Sequence, residues 1–419
     1  MHMSFFCCIF AADFVRACDD ARICARKKGR QTPENKKLKH QKYTYMKFNV
    51  SSSKLFSQLQ AVSRVINSKN ALPILDDVLF DLVGNELKLT ASDGETTIRT
   101  SVEVDGVEGS GKVASAAKLL LETLKEFSEQ PLAFTIDENN FAVSMVSQNG
   151  TYSFVGVNGN EYPEMPAAEE GAQTLSLPAN VLQNAIEKTI FCTADDDLRP
   201  VMNGIFFDID ADKVTMVATD AHRLVRYTNN GVAAGVTASF ILPKKPAGLL
   251  KNLLAKEEGD VKVTFGAKNA RFEFANTIIV CRQIEGRFPN YNAVIPQANQ
   301  NIVTVDRQTL INACKRVAVF ANNGTAQLRL ALSENQIKIS AQDIDFSTSA
   351  EEIISCAYSG MPMAIGFKAP FLIDLLSSIE SADVQLKLAD PARAGLILPA
   401  ENEENEDVLM LLMPMLLND

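Results

Sequence analysis

The residues able to do chemistry are few, and they do not assemble. Gly106-Val-Glu-Gly-Ser-Gly-Lys112 follows the GxxxxGK spacing of a loop whose backbone N–H groups and lysine cradle phosphates. The pattern fails at its last place, where Val113 stands instead of the Ser or Thr that would hold magnesium. His222, in Thr219-Asp-Ala-His-Arg223, is the one histidine beyond residue 45. Asp220 could orient it as a base, but no Ser or Cys nucleophile can be assigned to it. Asp195-Asp196-Asp197 lacks the alternating oxygen ligands of a calcium loop and reads as a solvated turn. Cys7, Cys8, Cys18 and Cys24 show no paired CxxC spacing with His2 or His40. Cys192, Cys281, Cys314 and Cys356 lie scattered in apolar contexts, as reduced thiols of a cytoplasmic protein do. Catalytic residues, metal and cofactor are therefore all expected to be absent, and the chain reads as a binding protein. A nucleotide-binding enzyme built on Gly106–Lys112 is one alternative, and a protein-binding scaffold with no role on DNA is another.

The elements around these residues repeat. Val50-SSSKLFSQLQAVSRVI, Leu177-PANVLQNAIEKTIFC and Val305-DRQTLINACKRVAVF each run from a short strand through a polar start into an amphipathic helix. Ser53, Pro178 and Asp306 stand where helix starts want a cap or a first-turn proline. Each helix is followed by strands alternating apolar and polar residues, such as Glu86-LKLTASDGETTIRTS, Lys213-VTMVATDAHRLVRY and Gln336-IKISAQDIDFSTSAE. A second helix and two or three more strands close each unit. The expectation is α+β, with three like domains over 46–168, 169–297 and 298–419. Residues 1–45 differ in composition and read as a non-native or disordered extension, with the patterned chain opening at Met46-Lys47-Phe48.

Charge then sorts by element. The chain holds 41 Lys and Arg against 51 Asp and Glu, a net −10; residues 1–45 hold ten of the bases and four of the acids, so the remainder stands near −16. An acidic total seems to exclude nucleic acid, whose protein footprint is normally basic. The six expected helices, 53–66, 114–129, 178–192, 243–258, 306–320 and 367–380, nevertheless sum to +4 and leave about −20 for strands and loops. With a screening length of about 8 Å at physiological salt, a basic face can act independently of an acidic exterior. Arg64, Lys69, Lys118, Lys125, Arg199, Lys244, Lys245, Lys251, Lys315 and Arg316 are the candidate phosphate contacts, joined by Lys54 on the first helix.

The repeat, together with Thr219-Asp-Ala-His-Arg223, Gly286-Arg-Phe-Pro-Asn-Tyr291, Tyr358-Ser-Gly, Ile365-Gly-Phe and Met413-Pro-Met415, resembles the bacterial beta sliding clamps from Met46 to about Leu417. The resemblance implies a homodimeric head-to-tail ring of six domains of DNA-clamp topology, helices inside and antiparallel sheets outside, that encircles double-stranded DNA without reading its sequence. It implies processivity for the replicative polymerase. It also implies a cleft receiving short linear peptides from the polymerase catalytic subunit, clamp loader, repair polymerases, ligase and mismatch-repair proteins. Carried over by motif, the cleft comprises Met202, Thr219, Ala221, His222, Arg223, Leu224, Pro289, Val294, Leu411, Leu412, Met413, Pro414, Met415 and Leu416. The resemblance also implies that Tyr152 and Phe154 of one copy meet Val319 and Phe320 of the other. Pro200-Val201, Ala293 and Leu416 depart from residues common in that family.

Overall fold

The computed structural model describes residues 45–417. The expected extension, Tyr45 apart, lies outside them, as do Asn418 and Asp419. Among the described residues six α-helices form: α1 (Ser52–Ser63), α2 (Ala117–Lys125), α3 (Ala179–Ile190), α4 (Lys244–Leu254), α5 (Arg307–Ala318) and α6 (Ala369–Ser377). In α1, Leu55, Leu59 and Val62 fall at helical spacing and are fully buried. Its cap is Ser51, whose side chain accepts from Lys54 N at 3.2 Å, not the expected Ser53. Asp306 caps α5 as expected, with Oδ1 accepting from Thr309 N at 2.7 Å. The helices are shorter than the apolar periodicity suggests. Residues 114–116 belong to strand Gly111–Ala116, because their alternation serves a sheet before α2 begins.

Each of three successive units packs its two helices together, α1 on α2, α3 on α4 and α5 on α6. Antiparallel sheets surround them and run across the unit boundaries. A nine-stranded sheet joins the first two units where strand Thr96–Glu103 pairs with Thr277–Arg282. An eight-stranded sheet joins the second and third where Arg223–Asn229 pairs with Glu406–Leu412. The strands equivalent to these partners are left as edges: Thr151–Val155 ends a five-stranded sheet, and Thr348–Ser355 ends a four-stranded one. One apolar core runs through all three units. A smaller cluster, including Val217, Leu224, Leu409 and Leu411, lies on the opposite face of the eight-stranded sheet, as the two-residue period requires.

Gly106–Lys112 runs through the strands Asp105–Glu108 and Gly111–Ala116, and Lys112 faces Asp81 at 3.7 Å. Lys112 is thus already in a strand, five residues ahead of α2, where its neighbours cannot wrap a phosphate at a helix N-terminus. Cys192, Cys281 and Cys314 are buried and free, and burial pushes the thiols of Cys281 and Cys314 up to about 12.

Candidate partner cleft and nucleic-acid interface

The strand pairing between the second and third units sets Leu224 opposite Leu411 and Arg223 opposite Leu412. Beyond that pair the chain end turns onto the third unit. Met413 N donates to His222 O at 2.9 Å, Met415 N donates to Gly366 O at 2.8 Å, and Gln327 Nε2 donates to Leu416 O at 2.9 Å. The expected cleft residues divide into floor and rim. Leu224 and Leu411 are buried in the smaller apolar cluster beside Phe288 and Tyr291, and Leu412 is buried in the main core. Met413, Leu416, Val294, His222 and Pro289 are exposed around them, with Met202, Pro414 and Met415 half-buried. An open depression of about 950 Å³ adjoins this region, lined by Phe206, Ile241, Phe288 and Tyr291; of the expected residues, Pro289 alone borders it. Phe206 and Phe288 stack there with ring centres 4.7 Å apart.

The turn Asp220–Arg223 is locked by its own side chains. Thr219 Oγ1 donates to Arg223 O at 2.8 Å, and Asp220 Oδ1 accepts from His222 N and Arg223 N at 2.9 Å each. Ala221 takes φ +73°, a left-handed conformation that glycine adopts more easily. Arg223 and Thr219, both expected in the cleft, are buried and do not stand on its exposed rim. The Arg223 guanidinium instead ties the units: Nε donates to Asp220 at 2.9 Å, Nη1 to Asp374 on α6 at 2.8 Å and Nη2 to Phe191 O at 3.0 Å. It also lies 4.5 Å from the ring centre of Phe371. Burial works against its charge, but the bonds to Asp374 and Asp220 outweigh that and raise its pKa. Phe371, which also sits 5.9 Å from the His222 ring, and Asp374 were missed in the sequence. Their signal was faint: an aromatic in the first turn of an otherwise aliphatic helix.

The basic residues divide as well. Within the six helices, ten bases stand against the acids Glu122, Glu187 and Asp374, because the observed ends leave acidic flanks such as Glu126, Glu257 and Glu380 outside. Arg64, Lys69, Lys125, Lys251 and Lys315 make no ion pair among the described residues, whereas Lys118 has only a loose contact to Glu122 at 3.9 Å. Lys244 reaches Asp195 at 2.6 Å, Arg199 reaches Asp196 at 2.8 Å, and Arg316 pairs with Glu352. Lys245 departs from the expectation of a free cation: its Nζ donates to Val65 O and Asn67 Oδ1, at 2.6 Å each, and to the Asp93 carboxylate of the first unit. It is a clasp between units.

Comparison with known families decides what this arrangement belongs to. Models of the DNA polymerase III beta subunit match in order along the chain: the N-terminal domain over 46–166, the central domain over 176–290 and the C-terminal domain over 292–415. The chain belongs to the bacterial beta sliding clamps. It is a processivity subunit of DNA polymerase III and not an enzyme. The beta sliding clamp of Haemophilus influenzae is 29% identical over 88% of this chain and all of its own, and that of Escherichia coli is 27% identical over the same shares. The DnaN sliding clamp of Bartonella birtlesii, solved bound to griselimycin, superposes with a TM-score of 0.83 at 29% identity, covering 89% of this chain and 100% of its own. The DNA polymerase III beta subunit of Pseudomonas aeruginosa gives 0.84 at 26% identity, over 88% and 100%. In this sliding clamp, His222 belongs to a locked turn, and Asp195 and Asp196 of the acidic run hold Lys244 and Arg199 in surface pairs.

Proposed function

We infer that two copies of this chain close head to tail around duplex DNA, giving six domains with twelve helices lining the hole. The observation that carries this reading is the repeated joint. Two in-chain boundaries are built by the same antiparallel pairing, and the strands equivalent to their two partners, Thr151–Val155 and Thr348–Ser355, stay open as edges. Open edges are normally protected, and pairing them removes the exposure. Tyr152, Phe154, Val319 and Phe320 then fall at the closing joint; Val319 is 79% exposed in the single chain.

The helices and the loops at their ends bring surplus bases to the hole, where Arg64, Lys69, Lys125, Lys251 and Lys315 are available to phosphates and Lys244, Arg199 and Arg316 can exchange their surface carboxylates for them. Loose contacts without base readout suit a ring that slides. The exposed rim of Met413, Leu416, Val294, His222 and Pro289 over the Leu224–Leu411 floor receives apolar anchors of linear peptides from polymerase, clamp-loader and repair partners in the cytoplasm. Retention tests this reading: after loading, the protein should stay on nicked circular DNA and leave when the circle is cut. Prompt loss from intact circles would overturn it.

A further inference from the structure

The first joint contains a detail that the open edges repeat. There, Lys245, the second residue of α4, is received by three acceptors of the preceding unit: Val65 O at the end of α1, Asn67 Oδ1, and the carboxylate of Asp93 in a hairpin turn. Asp93 holds that turn with its other oxygen, Oδ1, accepting from Glu95 N at 3.0 Å and Thr96 N at 2.7 Å.

Counting from helix starts and strand registers, every member has an equivalent at the unfilled joint. The second residue of α2 is Lys118. One and three residues past the Val319 cap of α5, as Val65 and Asn67 lie past the Arg64 cap of α1, come Phe320 and Asn322. Ala91 pairs with Ile98 and Ala341 with Ala350, which sets Asp343 in the place of Asp93 within a hairpin two residues longer. Asp343 behaves as Asp93 does. Its Oδ1 accepts from Asp345 N at 2.9 Å and Phe346 N at 3.2 Å, while Oδ2 accepts from Asn322 Nδ2 at 3.2 Å. It differs in having no cation: Asp343 is 4% exposed and no base pairs with it among the described residues. Buried carboxylates ordinarily have a partner. Lys118, 87% exposed on its side chain, is the matching base without an acceptor of comparable quality.

We propose that Lys118 of one copy docks on the Phe320 carbonyl, Asn322 and the Asp343 carboxylate of a second copy, reproducing the Lys245 clasp where the ring closes. Lys118 is then a ring-closing residue and not a DNA contact. The same counting fixes the strand register. Met145 pairs with Tyr152 as Phe272 does with Ile279, and Ile279 faces Ile98 across the first joint. Ala350 therefore faces Tyr152 of the second copy, and Ser349 faces Ser153.

The inference rests on the ring reading, and sedimentation equilibrium separates the two. The unaltered chain should be a dimer at micromolar concentration; a monomer would overturn the ring and the clasp together. Lys118→Ala and Asp343→Asn, the latter keeping the turn's backbone bonds, should each raise the dimer dissociation constant about tenfold or more. The double variant should be no weaker than the worse single one, since both remove one contact. Unchanged dimerisation of Lys118→Ala, or full additivity of the pair, would overturn the clasp while leaving the ring standing. Lys118→Ala sits at an exposed position, so its fold is retained even if Asp343→Asn loosens the hairpin.

Discussion

The first and second in-chain joints share their backbone pairing and differ in the ionic contacts that fasten it. Both cross from one unit to the next through an antiparallel strand pair, and both add a bond from the chain just beyond the incoming strand's last paired residue. Arg282 N donates to Glu95 O, and Met413 N to His222 O, at 2.9 Å each. At the first joint Asp93 takes a lysine from the next unit's helix. At the second, Pro370 occupies that helix position, and the equivalent Asp220 takes Arg223 from its own strand, which reaches on to Asp374. The second joint also buries Lys188 against Glu406 at 2.7 Å, with Tyr227 Oη donating to the same carboxylate at 2.6 Å. The difference teaches that strand pairing fixes the geometry while the ionic fastening is free to change. A third joint can therefore be laid out from the first two.

The largest break in this comparison should come from Lys188→Ala. It leaves Glu406 buried without its cation, and denaturant unfolding should show a loss of about 3–5 kcal/mol. Hydrogen exchange should rise first in Arg223–Asn229 and its partner strand. A loss below 1 kcal/mol would mean that water already reaches the pair. Arg223→Ala removes three charge-assisted bonds, but Asp374 is half exposed and Asp220 keeps its backbone donors, so the expected cost is about 2–3 kcal/mol. Lys245→Ala should cost less, about 1–2 kcal/mol, because solvent reaches 38% of the side chain and screens the pair. An order reversed between Lys245 and Lys188 would show the first joint to be the tighter one. The smallest effect belongs to Ala221→Gly, which relieves a left-handed alanine where the first unit has Gly94 at φ +93°. It should stabilise by about 0.5 kcal/mol in a thermal melt, and a clear destabilisation would show that the alanine methyl packs in the cleft.

Periodicity within the chain made the helices, the hairpins and the threefold repeat legible, because each depends on residues a few places apart. Leu55, Leu59 and Val62 on α1 are examples. Helix ends were less so: 114–116 carry small residues compatible with either state, and only pairing with the strand Asp77–Val83 decides for the sheet. Charge could be counted but not placed. Lys244 and Lys245 are neighbours of identical type, yet one meets a surface aspartate and the other a three-acceptor pocket on a different unit. The tie that Arg223 makes could not be read, because its partners Asp374 and Phe191 O lie 151 and 32 residues away. What escaped the sequence is what depends on partners far apart along the chain, within a unit or between units.

The central claim is a closed ring through which DNA passes. Ser153→Cys and Ser349→Cys, introduced together, place thiols opposite each other at both closing joints of a two-copy ring. Loaded on closed circular DNA and oxidised, the ring should remain on the circle through denaturing detergent and be released once the DNA is cut. Cross-linked dimers that detergent strips from intact circles would contradict the account.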